Sequence, residues 1–304
     1  MKWEKKGRIF CADHTHPWAI SHAALPTPWF IDDRIMRLYC AFRDAQNVSR
    51  IGYADVLAEN PKEIVGISSE PALDIGPPGT FDDNGVVPCS IVPHSDKLYL
   101  YYSGYKLGTG IPYTILSGLA VSENGGYSFR RYQQSPILDR SDNESSFRAV
   151  PFVLKENGIW KMWYIGGSEW IKDERGKKLP VYTLKYLESS DGIHWERCGH
   201  KCLDFRGDEH GFGRPYILRE KNSYVMYYSI RTLSKRYRLG YAESADGKSW
   251  MRKDGDLGLD ISPSGPDSDM MCFGAIIRYR DRTYIFYNGN NYGGTGICYA
   301  QLMP

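Results

Sequence analysis

One strand motif recurs five times along the 304-residue chain, and no other feature of the sequence restricts the fold as tightly. It reads Leu38-Tyr39-Cys40-Ala41-Phe42, Leu98-Tyr99-Leu100-Tyr101-Tyr102, Trp160-Lys161-Met162-Trp163-Tyr164, Tyr224-Val225-Met226-Tyr227-Tyr228 and Tyr284-Ile285-Phe286-Tyr287. From Ala41 through Tyr102, Tyr164 and Tyr228 to Tyr287 the steps are 61, 62, 64 and 59 residues. A step this constant means one supersecondary unit repeated along the chain.

Each unit carries a following strand of shared form: Ile51-Gly52-Tyr53-Ala54, Gly118-Leu119-Ala120-Val121, Leu184-Lys185-Tyr186-Leu187, Leu239-Gly240-Tyr241-Ala242 and Ile297-Cys298-Tyr299-Ala300. In the middle three units a turn dipeptide and an aromatic come next: Asn124-Gly125 before Phe129, Asp191-Gly192 before Trp195, and Asp246-Gly247 before Trp250. Asn-Gly and Asp-Gly tolerate the positive φ of tight turns, so these segments predict hairpins. Four strands per unit make a propeller blade. The last unit stops at Gln301-Leu302-Met303-Pro304, where its outer strand is due, while Trp3-Glu4-Lys5-Lys6 resembles the outer strands that begin at Trp195 and Trp250. The fold expected is therefore all-β: a single five-bladed β-propeller domain over residues 1–304, its N-terminal strand completing the last blade and removing a free sheet edge. Asp13 falls where Asp139, Asp204 and Asp260 fall, as a connector beyond an outer strand. Strands follow strands with no amphipathic helical segments between them, against a doubly wound α/β fold.

Composition narrows the function class. With 38 basic and 36 acidic residues spread evenly, the chain has no electrostatic footprint for nucleic acid or an anionic membrane. The 23 Tyr and 8 Trp suit both strands and the faces of sugars. The lysines of Met1-Lys2-Trp3-Glu4-Lys5-Lys6 have no apolar core behind them, and 18 apolar residues never run together, so a soluble, cytoplasmic protein is expected. Seven cysteines, of which Cys198 and Cys202 are the nearest pair, form neither a disulfide framework nor a zinc pattern, and no metal or cofactor is expected.

Residues just ahead of each first strand should surround the axis of a propeller. There the chain supplies His22, Asp82-Asp83-Asn84, Ser145-Ser146-Phe147-Arg148, Asp208-Glu209-His210 and Asp267-Ser268-Asp269. Asp83, Glu209 and Asp269 come from three different blades, and glycosyl cleavage needs one protonated and one ionised carboxyl. The alternative for each is a turn former. His22 and His210 are candidates for contacts to sugar hydroxyls or for acid–base work, against a structural hydrogen bond. Arg148 and Arg214 could hold a carboxylate or phosphate, or pair with a neighbouring acid. Trp18 and Trp170 are candidates for stacking on a sugar, and Trp29 reads as core. The segments from Tyr105 to Leu116 and from Ser168 to Val181 are the longest insertions, placed where specificity loops sit.

Strands entered through proline (Val86-Val87-Pro88, Arg148-Ala149-Val150-Pro151, Arg214-Pro215), the Trp/Tyr-rich second strands and the Ser-x-Asp-Gly-x-x-Trp hairpins resemble the propellers of glycoside hydrolase families 32, 43, 68 and 130. That resemblance runs the whole chain and implies an axial pocket for a small carbohydrate. By matching position it implies Glu209 as proton donor, with Asp83 or Asp269 as base or tuning group. The chain departs from the pattern at two places: His22 stands where families 32, 43 and 68 carry a first-blade acid, and Ala149 stands where family 32 has the Asp of Arg-Asp-Pro. Hydrolysis, phosphorolysis, glycosyl transfer and non-catalytic sugar binding all fit this reading, and it leaves the oligomeric state open.

Overall fold

The computed structural model describes residues 1–12, 14 and 16–304; the connector expected at Asp13 lies outside them. Five four-stranded antiparallel blades form. The first runs Ser21–Phe30, Ile35–Arg43, Ser49–Leu57 and Ile64–Ile67. The second is Val86–His94, Lys97–Leu107, Tyr113–Ser122 and Arg130–Arg131, and the third Phe147–Glu156, Ile159–Gly167, Thr183–Ser189 and His200–Lys201. The fourth is Glu209–Arg219, Tyr224–Thr232, Arg238–Ser244 and Met251–Arg252. The fifth takes Cys272–Tyr279, Arg282–Asn288 and Ile297–Leu302 from the C-terminus and Trp3–Phe10 from the N-terminus. First strands touch in ring order, and the fifth blade's first strand packs on Ser21–Phe30 of the first, which closes the circle.

The N-terminal strand closes the ring as its sequence predicts, with Trp3 opposite Leu302 and Lys5 opposite Ala300. The Trp3 indole is buried and donates to Leu257 O at 2.9 Å in the fourth blade. Trp3→Ala removes an anchoring ring and its hydrogen bond, so a loss of about 3 kcal/mol is expected from a urea titration.

The repeated motifs of the sequence hold neighbouring blades together. Ser189 Oγ accepts from Asp191 N and Gly192 N, while Gly192 sits at φ 76° and turns its carbonyl toward the preceding blade. Tyr101 hydroxyl of the second blade donates to that carbonyl at 2.8 Å. The same latch joins Tyr39 to Gly126 O at 2.6 Å and Trp163 Nε1 to Gly247 O at 2.7 Å. The recurring aromatics and the Ser-x-Asp-Gly turns are thus two halves of one inter-blade bond, and this is why they recur at one period.

Every first strand also carries a bulge, between Ala24 and Thr27, Pro88 and Ser90, Ala149 and Phe152, Gly213 and Tyr216, and Cys272 and Ala275. Leu25, Val150, Arg214 and Phe273 within these bulges take positive φ, a conformation L-residues avoid unless the surroundings impose it. The freed N–H groups are satisfied from the adjoining blade: Leu25 N by Asn288 Oδ1 at 2.8 Å, Val150 N by Ser103 Oγ at 2.7 Å and Phe273 N by Ser229 Oγ at 2.8 Å. In the fourth blade the residue so placed is Arg214, and its Nη2 reaches Pro26 O at 2.6 Å and Thr27 Oγ1 at 2.8 Å on the first blade. Blades one and four are not neighbours in the ring, so the guanidinium crosses the axis. Among the described residues no helix is long and apolar enough to cross a membrane.

Candidate active site

Carboxylates at the blade entries do two different jobs. In three blades an acid lies twenty residues ahead of the last tyrosine of the second strand and accepts its hydroxyl: Tyr102 to Asp82 at 2.9 Å, Tyr164 to Glu144 at 3.0 Å and Tyr287 to Asp267 at 2.9 Å. Each acid is buried and carries a cation: Arg131 on Asp82 at 2.7 Å, Arg148 and Lys185 on Glu144 at 2.6 Å each, and Lys5 on Asp267 at 2.7 Å. In the fourth blade Asp254 takes this place, with Tyr228 at 2.6 Å and Arg252 at 2.8 Å. These are ties between the inner and outer parts of a blade. Arg148 belongs to them: beyond Glu144 it donates to Asp139 O at 2.8 Å and sits within the blade, away from the axis.

The three carboxylates that the sequence singled out stand beside this framework, each with its own cation. Glu209 is held at both oxygens by Arg252, at 2.7 Å each, and also accepts from Arg206 N at 2.8 Å. Asp83 pairs with Lys106 and accepts from Gly79 N at 2.8 Å, while its Oδ1 is buried without a partner. Burial would raise its pKa, but Lys106 and the Gly79 N–H outweigh that, and the carboxyl is held below its usual range. Asp269 meets Arg236 at 2.8 Å with both side chains half-exposed or more. Among the described residues these three share no hydrogen-bond or ion-pair partner.

What converges on the axis is aromatic and basic. Tyr182 and Tyr237 share a hydroxyl hydrogen bond of 2.7 Å, and Arg231 Nη1 lies 3.5 Å from the Tyr182 oxygen. Phe147 packs on Tyr182 at 5.3 Å and on Trp170 at 5.3 Å; Tyr113 packs on Trp170 at 5.3 Å and on Tyr105 at 6.0 Å. Tyr292 of the fifth blade meets Tyr237 edge-on at 5.8 Å. Arg43 ends the second strand of the first blade, and its charge acts with burial to lower the His22 pKa and against burial at Tyr105. All five blades contribute, and the basin takes in three of the expected residues, His22, His210 and Trp170, with Arg214 crossing the axis.

Trp18 lies elsewhere: it packs on Phe42 at 5.5 Å and donates to Ser69 O at 3.1 Å within the first blade. Sequence reasoning missed Arg43, Arg231 and the four tyrosines 113, 182, 237 and 292. A signal existed for two basin residues: Tyr105 and Arg231 each stand three positions beyond the closing tyrosine of a second strand, at its axial end.

Both axial histidines are neutral at pH 7. Burial, reinforced by Arg43, lowers the His22 pKa to about 4; burial also lowers His210, which has Pro180 O 3.0 Å from its Nδ1. Between pH 6.5 and about 4 the unfolded chain therefore binds a proton at residue 22 that the folded chain refuses. Stability is full above pH 6.5 and falls as the pH drops toward 4; His22→Gln should flatten that slope in urea midpoints measured across this window.

A model of the glycosyl hydrolases family 32 N-terminal domain matches residues 69–211. The chain superimposes on a family-43 glycoside hydrolase described as thermostable (TM-score 0.68, 16% identity, 94% of this chain and 90% of that one). It also superimposes on the β-1,2-mannobiose phosphorylase of Listeria innocua (TM-score 0.67, 11% identity, 92% and 89%). Ring, entry face and family match define a glycoside-hydrolase-like, carbohydrate-active β-propeller protein. Within that class the chain belongs to the family of the Mycobacterium tuberculosis H37Rv protein Rv1502, with which it is 35% identical over 303 residues, 99% of both chains.

Proposed function

We propose that this protein cleaves or transfers a glycosyl unit of a small carbohydrate bound at the axial basin. The observation that carries the reading is the aromatic cluster at the axis, in which half-buried Tyr113 and Trp170 are backed by buried Phe147 and Tyr182 and can present ring edges and faces to a sugar. The candidate acids flank this cluster rather than line it, and of them Asp83, beside Lys106, is the one held ionised. Asp269 is the better proton donor than Glu209: a half-exposed ion pair is worth little and opens easily, whereas Glu209 has both oxygens committed to Arg252. Incubation with a panel of aryl glycosides and disaccharides, with and without inorganic phosphate, tests the reading through the reducing sugar or sugar phosphate released. Release that requires phosphate marks phosphorolysis, and release without it marks hydrolysis.

A second reading, a sugar-binding propeller without turnover, is favoured by one observation: among the described residues no carboxylate lies within ion-pair distance of the axial arginines. Sugar binding with no bond cleaved across the panel would select it and reject the enzyme.

A further inference from the structure

The arginines of this protein fall into two groups. Away from the axis, the buried or nearly buried guanidiniums each have an acid: Arg37 has Asp55 at 2.7 Å, Arg131 has Asp82 at 2.7 Å, Arg148 has Glu144 at 2.6 Å, and Arg252 has Glu209 and Asp254. At the axis the rule reverses. Arg214 is fully buried, uses only Nη2, and leaves Nε and Nη1 without a partner. Half-buried Arg231 has the Tyr182 oxygen 3.5 Å from Nη1 and the Tyr237 ring at 5.7 Å, and among the described residues neither it nor half-buried Arg43 has a carboxylate within ion-pair distance.

A cation removed from water without a counter-charge costs several kcal/mol unless something else supplies the negative charge. Three such cations, Arg43 from the first blade and Arg214 and Arg231 from the fourth, give the axial region a positive potential, although the chain as a whole is nearly neutral at +2. Guanidiniums are also the side chains best shaped for the oxygens of a carboxylate or phosphoryl group. Burial disfavours the charged form of the two axial histidines, so they do not supply the missing counter-charge.

We propose that the axial basin recognises a sugar bearing an oxyanion, a carboxylate or phosphoryl group, received by Arg43 and Arg231 over the positive field of Arg214. This rests on the reading of the basin as a carbohydrate site, but it does not require turnover. The ligand completes the charge balance that protein carboxylates provide everywhere else in the ring.

Calorimetric titration of the intact protein with pairs of sugars that differ only in charge tests this: glucose against glucuronate, galactose against galacturonate, glucose and mannose against their 6-phosphates, with inorganic phosphate alone as a separate arm. The expected result is that at least one charged sugar binds tenfold or more tightly than its neutral twin, and that added salt weakens it. Arg43→Gln and Arg231→Gln should each bring that ratio to within about twofold. Lysine at either position should keep part of it, and Arg197→Gln, at an exposed residue remote from the basin, should leave it unchanged. Three results would overturn the proposal: neutral twins binding as tightly as charged ones, no sugar binding at all, or a preference that survives the double Arg43→Gln, Arg231→Gln variant. Inorganic phosphate binding as tightly as every charged sugar would overturn the assignment of the anion to the sugar. Failure of the glycosidase reading shows in turnover alone; failure of this one shows in binding.

Discussion

Glu144→Ala is expected to destabilise the folded ring by about 3–5 kcal/mol, one of the largest effects available from a single side chain in this molecule. The glutamate is buried and serves three groups at once: Arg148 and Lys185 at 2.6 Å each, and the Tyr164 hydroxyl at 3.0 Å. Burial first and Glu144 second push the Tyr164 hydroxyl pKa up, so the phenol stays protonated and remains a donor. Alanine would leave the Arg148 cation in an interior that has been built around an anion, and water cannot reach it. Penalties of this kind come from the orphaned partner rather than from the lost attraction, which gives the prediction a second arm. Arg148→Met added to Glu144→Ala should recover part of the loss, because the more deeply buried of the two orphaned cations is then gone and only the partly exposed Lys185 is left without its anion. Urea midpoints of the two single variants and the double variant make the comparison. A loss under about 1 kcal/mol for Glu144→Ala would show that solvent reaches the pair and that the tie contributes little.

That tie also explains which parts of the site could be read from the sequence. The ring itself was legible because its bonds repeat with the chain: Tyr101 to Gly192 O and Trp163 to Gly247 O are the same contact one period apart, so periodicity and structure carry the same information. The closing strand was legible for the same reason, as Trp3 stands in for an outer strand missing from the C-terminus. The carboxylates were legible only as a ring of acids. Asp82, Glu144 and Asp267 occupy one structural position and Asp83, Glu209 and Asp269 fall close beside it; the sequence brought Asp82 and Asp267 to the blade entries without separating their role from that of their neighbours, and it missed Glu144, one residue ahead of the third entry. What separates them is the origin of the cation. Arg131, Lys185 and Lys5 arrive from third or outer strands with no fixed offset from the acid, and their arrival cannot be counted along the chain. Arg214 was legible as a candidate anion holder but its path was not: only the bulge that forces its positive φ sends the side chain across the axis to Pro26 O.

The same distinction decides how the three candidate acids should respond to substitution. On the glycoside that the panel identifies, Asp83→Asn and Asp269→Asn are each expected to lower kcat by about 10²–10⁴-fold, the range for loss of a general acid or base. The Asp269 variant should keep wild-type stability, since its pair with Arg236 is half-exposed. Asp83→Asn should cost some stability as well. That carboxylate is held ionised by Lys106, and the benefit is present above its unfolded pKa and lost as the pH falls through the folded one. Glu209→Gln should behave in the opposite way. The amide keeps the shape but loses the charge that Arg252 holds at both oxygens, so stability should fall by about 1–3 kcal/mol while kcat changes less than tenfold. The two readouts together separate the roles: loss of a catalytic carboxyl lowers kcat at full saturation in the folded enzyme whatever it does to the urea midpoint, and loss of a positioning carboxyl moves the midpoint first. If Glu209→Gln instead abolished turnover at unchanged stability, Arg252 would have to release the carboxyl when substrate binds. The fourth-blade acid would then be the proton donor, with Asp254 left to hold the arginine alone.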